Sequence, residues 1–424
     1  LPHAVFDDLK KMSDLYNYQQ RTVGDFMNEV KLNGFNNTIN DLTMWGGMRM
    51  SPNDISDVTG SIYTYLLNGH SAAENWTALY KPGERVRLRF INASAMSFFN
   101  VRIPGLPMTV VQADGLNVEP VETDEFQIGV AETYDVIIEP HHGMAFTLMC
   151  EASDRSGYVR ATIATDENMQ ANVPELREPP TLTMRDMGMA HDMDETGIMD
   201  HSAMGHSAPM VEHMTIPEVP ATEMDHTAMG HSAPMAETMK MPRQPASEMG
   251  MPDTGNMEHQ SHNHATGPGV ANLVKIPQSR LNEPGVGLES VPHRALNYAQ
   301  LKSLTPNPDQ RVPGRELEIH LTGNMERYMW SFDGLKFSEV KEPIVFNEGE
   351  RLRLTLMNDT MMPHPIHLHG MFFDVVNGDS NHKPRKHTII VKPAEKLSVD
   401  LTADAVGDWA FHCHLIYHMH AGMM

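Results

Sequence analysis

Short apolar runs of alternating polarity recur through two stretches of the chain, and this pattern constrains the fold more than any other feature. In the first stretch, residues 61–170, turn sequences such as Lys81-Pro82-Gly83 and Ala113-Asp114-Gly115 separate the runs. The runs themselves are residues 86–90, 109–112, 136–138 and 159–163. Alternation with period two predicts strands that bury one face, and short strands at this spacing are typical of a Greek-key β-sandwich. We therefore predict one sandwich in residues 61–170.

A second strand-rich stretch begins near Glu316 and continues to the end of the chain, so we predict another sandwich in residues 311–424. Residues 1–60 differ, because their apolar positions follow mixed spacings of three and four that suit an amphipathic helix. These positions are Val5, Leu9, Met12, Leu15, Tyr16, Phe26 and Val30. We expect a helical connector in residues 1–60 and an all-β fold for the chain as a whole.

The composition between the two predicted sandwiches excludes a packed core. Residues 171–310 are predicted to be a low-complexity segment and linker, and within them residues 184–264 are dominated by Met, His, Asp, Gly, Ser, Ala and Pro. A twelve-residue sequence that begins at Met199 recurs in nearly the same form at Met224. So few aromatic and β-branched residues cannot bury a core, and we predict that residues 184–264 are disordered when metal-free.

The repeated Met and His positions of this tract predict metal recruitment. A thioether is a soft, uncharged donor that favours Cu(I), and the interspersed imidazoles also accept Cu(II). A linker with incidental methionines is the alternative, although linkers are ordinarily built from Gly, Ser, Pro and charged residues. The candidate donors are Met199, His201, Met204, His206, Met210, Met224, His226, Met229, His231 and Met235.

The charge balance excludes several classes of partner. The chain has 32 Lys and Arg against 55 Asp and Glu, a formal net charge of -23, which repels nucleic acid and anionic lipid and attracts cations. No apolar run is long enough to span a membrane. The two cysteines, Cys150 and Cys413, are too few for a disulfide framework. Cys150 lies in an apolar run and is predicted to be a buried strand residue.

Metal-binding residue types are concentrated in two clusters near the end of the chain. In a strand, residues two apart share a face, so His367 and His369 point one way together, and His412 and His414 do likewise with Cys413 opposed. Each cluster can therefore serve two sites. The two clusters contain His364, His367 and His369, and then His412, Cys413, His414, His418 and Met423.

One of the two sites has the composition of a blue-copper electron-transfer centre. Cys413, His364, His418 and a thioether at Met423 form the set of two His, one Cys and a weak axial Met that defines such a centre. The four alternate histidines suit a second copper site on the far side. Any single His or Cys is more often a core or surface residue, but coincidence does not explain the whole ordered set. His141 and His142, at an expected turn, are interpreted as solvated.

The two clusters resemble the C-terminal copper signatures of the multicopper oxidases. Other motifs are similar to the middle cupredoxin domain of that family: Tyr65-Leu66-Leu67-Asn68-Gly69, Pro82-Gly83-Glu84-Arg85, Gln112-Ala113-Asp114-Gly115 and Glu132-Thr133-Tyr134-Asp135. The Met-Asp-His-Ser repeats and the sequence from Asp14 to Gly24 are similar to the bacterial copper-resistance branch. The resemblance implies tandem cupredoxin-like sandwiches with copper as the cofactor.

The resemblance also implies a role for each ligand. It places the type 1 copper on His364, Cys413, His418 and Met423. It places a type 2 copper on His367 and the type 3 pair on His369, His412 and His414. Cys413, His412 and His414 would carry the electron. A trinuclear cluster in this family needs eight histidines, and this chain supplies half of them. We therefore expect an N-terminal cupredoxin domain, and any export signal, to lie outside this numbering.

We expect a periplasmic multicopper oxidase of copper resistance. It would oxidise Cu(I), and phenols as a side activity, with electrons passing to O2 at a trinuclear cluster. Cu(I), Cu(II) and O2 are the expected partners, with no nucleic acid and no membrane span. The alternative is a periplasmic copper-sequestering protein that binds copper through the Met/His-rich tract. Two further His-x-His pairs in upstream sequence would favour the enzyme.

Overall fold

The computed structural model describes residues 2–12, 20–48, 51–140, 143–183, 185–188 and 265–424. Among them the helices are α1 Pro2–Leu9, α2 Val23–Asn33, α3 Phe35–Met48 and α4 Ile416–His420. Helix α2 begins at a capping box, in which Thr22 and Asp25 exchange hydrogen bonds. No helix in these ranges combines the length and the apolar character needed to cross a bilayer. The Met/His-rich positions from Met199 to Met235, together with His141 and His142, lie outside the described residues.

The first sandwich is built from two sheets. Its strands are β1 Trp76–Leu79, β2 Val86–Ile91, β3 Phe99–Arg102, β4 Met108–Ala113, β5 Leu116–Thr123, β6 Glu125–Ile128, β7 Thr133–Ile138, β8 Phe146–Ala152 and β9 Tyr158–Ala164. One sheet has the order β1-β9-β8-β3-β6 and the other β2-β7-β4-β5. Each predicted alternating run lies within a strand, and Cys150 is buried in β8, as expected.

The second sandwich also has two sheets. Its strands are β10 Arg315–Asn324, β11 Met329–Phe332, β12 Arg351–Asn358, β13 His364–Leu368, β14 Phe373–Val375, β15 Arg385–Lys386, β16 Thr388–Val391, β17 Lys396–Thr402 and β18 Phe411–Cys413. The larger sheet has the order β11-β10-β12-β17-β14-β15, and the smaller one has the order β16-β13-β18. The all-β prediction is therefore confirmed for the described part of the chain.

Aromatic contacts connect the two sheets of each sandwich. In the first, the Phe126 ring of β6 lies 5.4 Å from Phe90 of β2 and 5.2 Å from Tyr134 of β7. In the second, Phe332 of β11 stacks on Phe411 of β18 with ring centroids 4.8 Å apart. These contacts bury apolar area from both sheets in one hydrophobic core, which is the main stabilising term of such a fold.

A buried ion-pair network joins the two sandwiches. The Lys386 ammonium, fully buried at the end of β15, lies 3.0 Å from a carboxylate oxygen of Asp114 and 3.1 Å from one of Glu132. The Tyr298 hydroxyl donates to Glu132 at 2.6 Å. Removing one partner of such a buried pair is costly because a charge is left without compensation. Tyr298 belongs to residues 265–310, a part of the predicted linker that packs against both sandwiches.

Candidate metal centre

The register of the small sheet sorts the candidate ligands onto two faces. Strands β13 and β18 are antiparallel, and Cys413 pairs with Ile366 while His412 pairs with His367. Because cross-strand partners share a face and residues two apart share a face, Cys413 lies on the side of His364. His412 lies on the opposite side with His367 and His369. One three-stranded sheet therefore separates two groups of donors.

The buried face brings three donor atoms together. The Cys413 Sγ lies 3.6 Å from the Nδ1 of His364 and 3.9 Å from the Nδ1 of His418, and the two Nδ1 atoms are 3.2 Å apart. All three side chains are fully buried. Met423 is buried beside them, and its carbonyl oxygen accepts a hydrogen bond from the Cys413 backbone N–H at 3.1 Å. The four residues predicted for the first site are thus neighbours.

Helix α4, which carries His418, is held by the first sandwich. The backbone N–H of Ile416 donates to the Ala95 carbonyl at 3.1 Å, and that of Tyr417 donates to the Met96 sulfur at 3.4 Å. The placement of the His418 side chain therefore depends on residues that lie more than 300 positions earlier in the sequence.

The outer nitrogen of each imidazole is occupied by a hydrogen bond. The Nε2 of His364 lies 2.7 Å from the Thr360 hydroxyl, and the Nε2 of His418 lies 2.7 Å from the Asp57 carboxylate. Donation from Nε2–H leaves each Nδ1 lone pair directed at Cys413, which is the tautomer that a metal ligand requires. Neither Thr360 nor Asp57 was predicted from the sequence, since nothing in the local pattern marks them.

Asp57 has further partners. Its carboxylate accepts a hydrogen bond from the Tyr328 hydroxyl at 2.8 Å, and the Lys11 ammonium lies 3.7 Å from its other oxygen. Burial opposes ionisation of Asp57, but hydrogen bonds and charges from His418, Lys11 and Tyr328 together hold its pKa below the usual value. A buried negative charge therefore faces the outer side of His418.

Burial disfavours charge on the site in the absence of a cation. It lowers the pKa of His364 well below the ordinary value for histidine and raises the pKa of the Cys413 thiol well above the ordinary value for cysteine. The metal-free site therefore holds a neutral imidazole and a protonated thiol. A soft cation that binds the thiolate would displace that proton and replace its charge.

Trp330 packs directly on the site. Its indole stacks on the His418 ring with centroids 3.8 Å apart and planes 19° apart, and it meets the His364 ring edge-on at 5.3 Å. Gly323 permits this approach, because a Cβ at that position would lie 2.5 Å from the indole. Trp330 was not predicted, because it lies far from His364 and His418 in the sequence.

The opposite face of the small sheet carries the second group of donors. Neighbouring rings among His367, His369, His412 and His414 lie 4.8 to 5.7 Å apart, and the Nε2 atoms of His369 and His412 are 3.1 Å apart. His412 is buried, His367 and His414 are half-buried, and His369 is exposed. The four histidines thus form a partly open cluster next to the buried site.

The backbone orients two of these rings. The Nδ1 of His367 lies 2.6 Å from the carbonyl oxygen of His387, and the Nδ1 of His412 lies 2.9 Å from that of Cys413. In both rings Nε2 is therefore the nitrogen that can bind a metal. Burial lowers the pKa of His367 to about 4, and it lowers those of His412 and His414 as well, so these imidazoles are neutral and able to bind metal near neutral pH. His387, whose ring lies 5.6 Å from that of His367, was not predicted.

The chain is similar to known proteins over its whole length. Two family profiles, both described as multicopper oxidase, match the chain, one over residues 12–169 and the other over residues 310–424. Copper resistance protein A of Escherichia coli is 50% identical over 422 residues, which is 100% of this chain and 68% of that protein. Its homolog in Pseudomonas syringae pv. tomato is 48% identical, over 100% of this chain and 67% of that protein.

More distant relatives were also found. Multicopper oxidase MmcO of Mycobacterium tuberculosis is 26% identical over 85% of this chain and 49% of that protein. Among solved structures, a multicopper oxidase that functions in iron import aligns with a TM-score of 0.49 at 14% identity, over 82% of this chain and 56% of that one. The chain thus spans just over half the length of that solved structure and about two thirds of the curated copper-resistance relatives.

Proposed function

This chain belongs to the multicopper oxidase family, and from that premise we propose that it oxidises Cu(I) to Cu(II) in copper resistance, with O2 as the final electron acceptor. Copper is the cofactor of the family. The names of the relatives that are about 50% identical over the whole chain support the copper-resistance role. We further propose a periplasmic location, where Cu(I) could be oxidised before it crosses the inner membrane.

The observation that carries the proposal is the convergence of Cys413, His364 and His418 in a fully buried site, with donor atoms within 4.8 Å of one another. A thiolate with two imidazoles and a nearby thioether is the donor set of a type 1 copper centre. The residues therefore fit the cofactor, and His364, Cys413, His418 and Met423 would hold it. Copper bound there would supply a one-electron centre, and copper held on the opposite face would supply the chemistry of O2 reduction.

His367 is proposed as a type 2 ligand and His369, His412 and His414 as type 3 ligands. Four imidazoles cannot saturate three metal ions, so the proposal requires further histidines from outside this sequence. His412 and His414 are bonded through the backbone to Cys413, which gives the electron a short covalent route between the faces of the sheet. The half-open arrangement of the four rings is consistent with a site completed by another domain.

The type 1 assignment is tested by replacing its thiolate. Copper loading of the 424-residue chain should give the intense blue absorption of a thiolate bound to Cu(II), and Cys413→Ser should abolish it because a hydroxyl is too weakly acidic to replace the thiolate. Cys150→Ser is the matched control, since Cys150 is the other buried cysteine and lies in the first sandwich. Blue colour in Cys413→Ser, or its loss in Cys150→Ser, would contradict the assignment.

Copper sequestration is the second candidate, and the two Met/His-rich repeats favour it. It differs from the oxidase in needing no oxygen. We propose that the 424-residue chain alone binds one copper tightly in its type 1 site and consumes negligible O2. The same chain combined with the additional histidine ligands should consume O2 in proportion to the Cu(I) supplied. Absence of O2 uptake in that combined form would favour sequestration.

A further inference from the structure

The buried carboxylate of Asp114 joins the two sandwiches through its two oxygens. Oδ1 accepts a hydrogen bond from the Thr133 backbone N–H at 2.9 Å, within the first sandwich. Oδ2 accepts from the backbone N–H groups of His387 and Thr388 at 3.1 and 3.2 Å, and the Lys386 ammonium lies 3.0 Å from it. Three donors of the second sandwich therefore surround one oxygen of a side chain that belongs to the first.

The peptide group between His387 and Thr388 is held at both ends. Its N–H is the Thr388 group that donates to Asp114, and its C=O is the His387 carbonyl that lies 2.6 Å from the His367 Nδ1. A trans peptide group is planar, and its N–H and C=O point in opposite directions. The carboxylate on one side of this peptide therefore fixes the direction of the carbonyl that His367 meets on the other side.

The charge of Asp114 also strengthens the contact with His367. A carboxylate that accepts from a peptide N–H polarises that peptide, so the carbonyl oxygen of the same peptide becomes a better acceptor. Asp114 and Thr388 are both buried, so water does not compete for the bond between them. A carbonyl held in this way keeps the proton of the His367 ring on Nδ1 and leaves Nε2 as the nitrogen that can bind a metal.

We propose that Asp114 is a positioning residue for His367, and that it acts through the peptide group between His387 and Thr388. This inference rests on the proposed function, in which His367 is a type 2 ligand. It adds that the first sandwich, which supplies none of the predicted copper ligands, takes part in building the four-histidine site. The alternative is that Asp114 only holds the two sandwiches together, which its contact with Lys386 also predicts.

Two variants separate positioning from stability of the interface between the sandwiches. Asp114→Asn removes the charge and keeps a side chain that tolerates the left-handed backbone of this turn, where φ is 47°. Glu132→Gln is the matched control, because Glu132 is the other carboxylate beside Lys386, at 3.1 Å. The Glu132 carboxylate accepts its hydrogen bonds from the Gly129 N–H and the Tyr298 hydroxyl. Both variants weaken the same buried ion-pair network, so both should destabilise the chain.

Proton NMR of the imidazole groups in the metal-free 424-residue chain measures the contact directly. The hydrogen bond to the carbonyl should protect the Nδ1–H of His367 from exchange with solvent, and loss of its signal in His367→Gln identifies it. In Asp114→Asn this proton should exchange at least about tenfold faster, whereas in Glu132→Gln it should exchange as in the wild type. The Nδ1–H of His412, which lies 2.9 Å from the Cys413 carbonyl, is an internal control and should not change.

Zn(II), a diamagnetic ion that imidazole binds well, tests the consequence for metal binding. With the free Zn(II) concentration set by a chelator, binding should shift the ring signals of His367. Asp114→Asn should need about three- to tenfold more free Zn(II) for half of this shift, less than the roughly 10- to 100-fold that loss of a direct partner of a ligating histidine costs, because Asp114 acts through a peptide group.

The outcomes distinguish the inference from the function on which it rests. Wild-type exchange at His367 in Asp114→Asn, or equally fast exchange in Glu132→Gln, would show that Asp114 only joins the sandwiches and would overturn its positioning role. A His367 proton that is protected in the wild type, on a ring whose signals never respond to Zn(II), would instead overturn the metal-binding role proposed for the four histidines.

Discussion

Asp57 should control how tightly the proposed type 1 site holds Cu(II). Its carboxylate lies 2.7 Å from the Nε2 of His418 in a fully buried position. A hydrogen bond to a charged group contributes about 1.5 to 3 kcal/mol, and at about 1.4 kcal/mol per tenfold this equals a change in affinity of roughly 10- to 100-fold. Loss of the hydrogen-bond partner of a metal-bound histidine has a similar effect in other proteins, about 10- to 100-fold.

Two substitutions separate the contribution of the negative charge of Asp57 from that of its hydrogen-bond acceptor. Asp57→Asn retains an oxygen that can accept from His418 but removes the negative charge, so we expect about a tenfold loss of Cu(II) affinity. Asp57→Ala removes the acceptor as well and should lose roughly 100-fold. The carboxylate stabilises Cu(II) more than Cu(I). If the affinity for Cu(II) falls tenfold and that for Cu(I) is unchanged, the reduction potential should rise by about 59 mV.

Competition with a chelator of known affinity, followed by the blue absorption, measures the loss, and redox titration measures the potential. Asp374→Asn is the control, because Asp374 is a buried carboxylate of the same sandwich that pairs with Arg351 at 2.8 Å, on the sheet without the donor group. It should destabilise the fold and leave copper affinity unchanged. Wild-type affinity in both Asp57 variants, or an equal loss in Asp374→Asn, would refute the reasoning.

Three further predictions follow from particular contacts. His320 donates a hydrogen bond to the Asp359 carboxylate, which raises the pKa of His320 above the ordinary value. The stabilising contribution of this contact is complete below about pH 6.5 and lost as pH rises through the folded-state pKa. Between about pH 6 and 9, the free energy of unfolding measured in urea should therefore fall more for the wild type than for His320→Gln. Gly323→Ala should cost about 1 to 3 kcal/mol of stability and alter the blue spectrum by displacing Trp330, and an unchanged spectrum would argue against the stacking. Deleting residues 189–264 from the complete oxidase should slow Cu(I) oxidation at limiting copper and leave phenol oxidation undiminished; an equal slowing of both would favour the linker interpretation.

Local periodicity was enough to predict the strands and to separate the donors into two groups. His364 and Cys413 share one face of the small sheet, while His367, His369 and His412 share the other. Within one strand, the two-residue repeat sets His367 with His369 and turns His412 away from Cys413. The pairing of β13 with β18 then decides which face of one strand matches which face of the other. The assignment of metal roles to these residues remains a prediction.

The surroundings of the donors could not be predicted in the same way. Asp57 meets His418 from 361 positions away in the sequence, and it comes from the predicted connector, whose periodicity indicated only a helix. Trp330, which stacks on His418, likewise comes from a distant segment, strand β11 of the larger sheet.

The sequence by itself determined which chemical groups are available and which faces of their strands they occupy, because both depend on neighbours along the chain. Only the tertiary structure decided what orients His418 and what stacks on it. Those contacts form between distant segments, and side-chain packing and burial set them, with no trace in the local pattern.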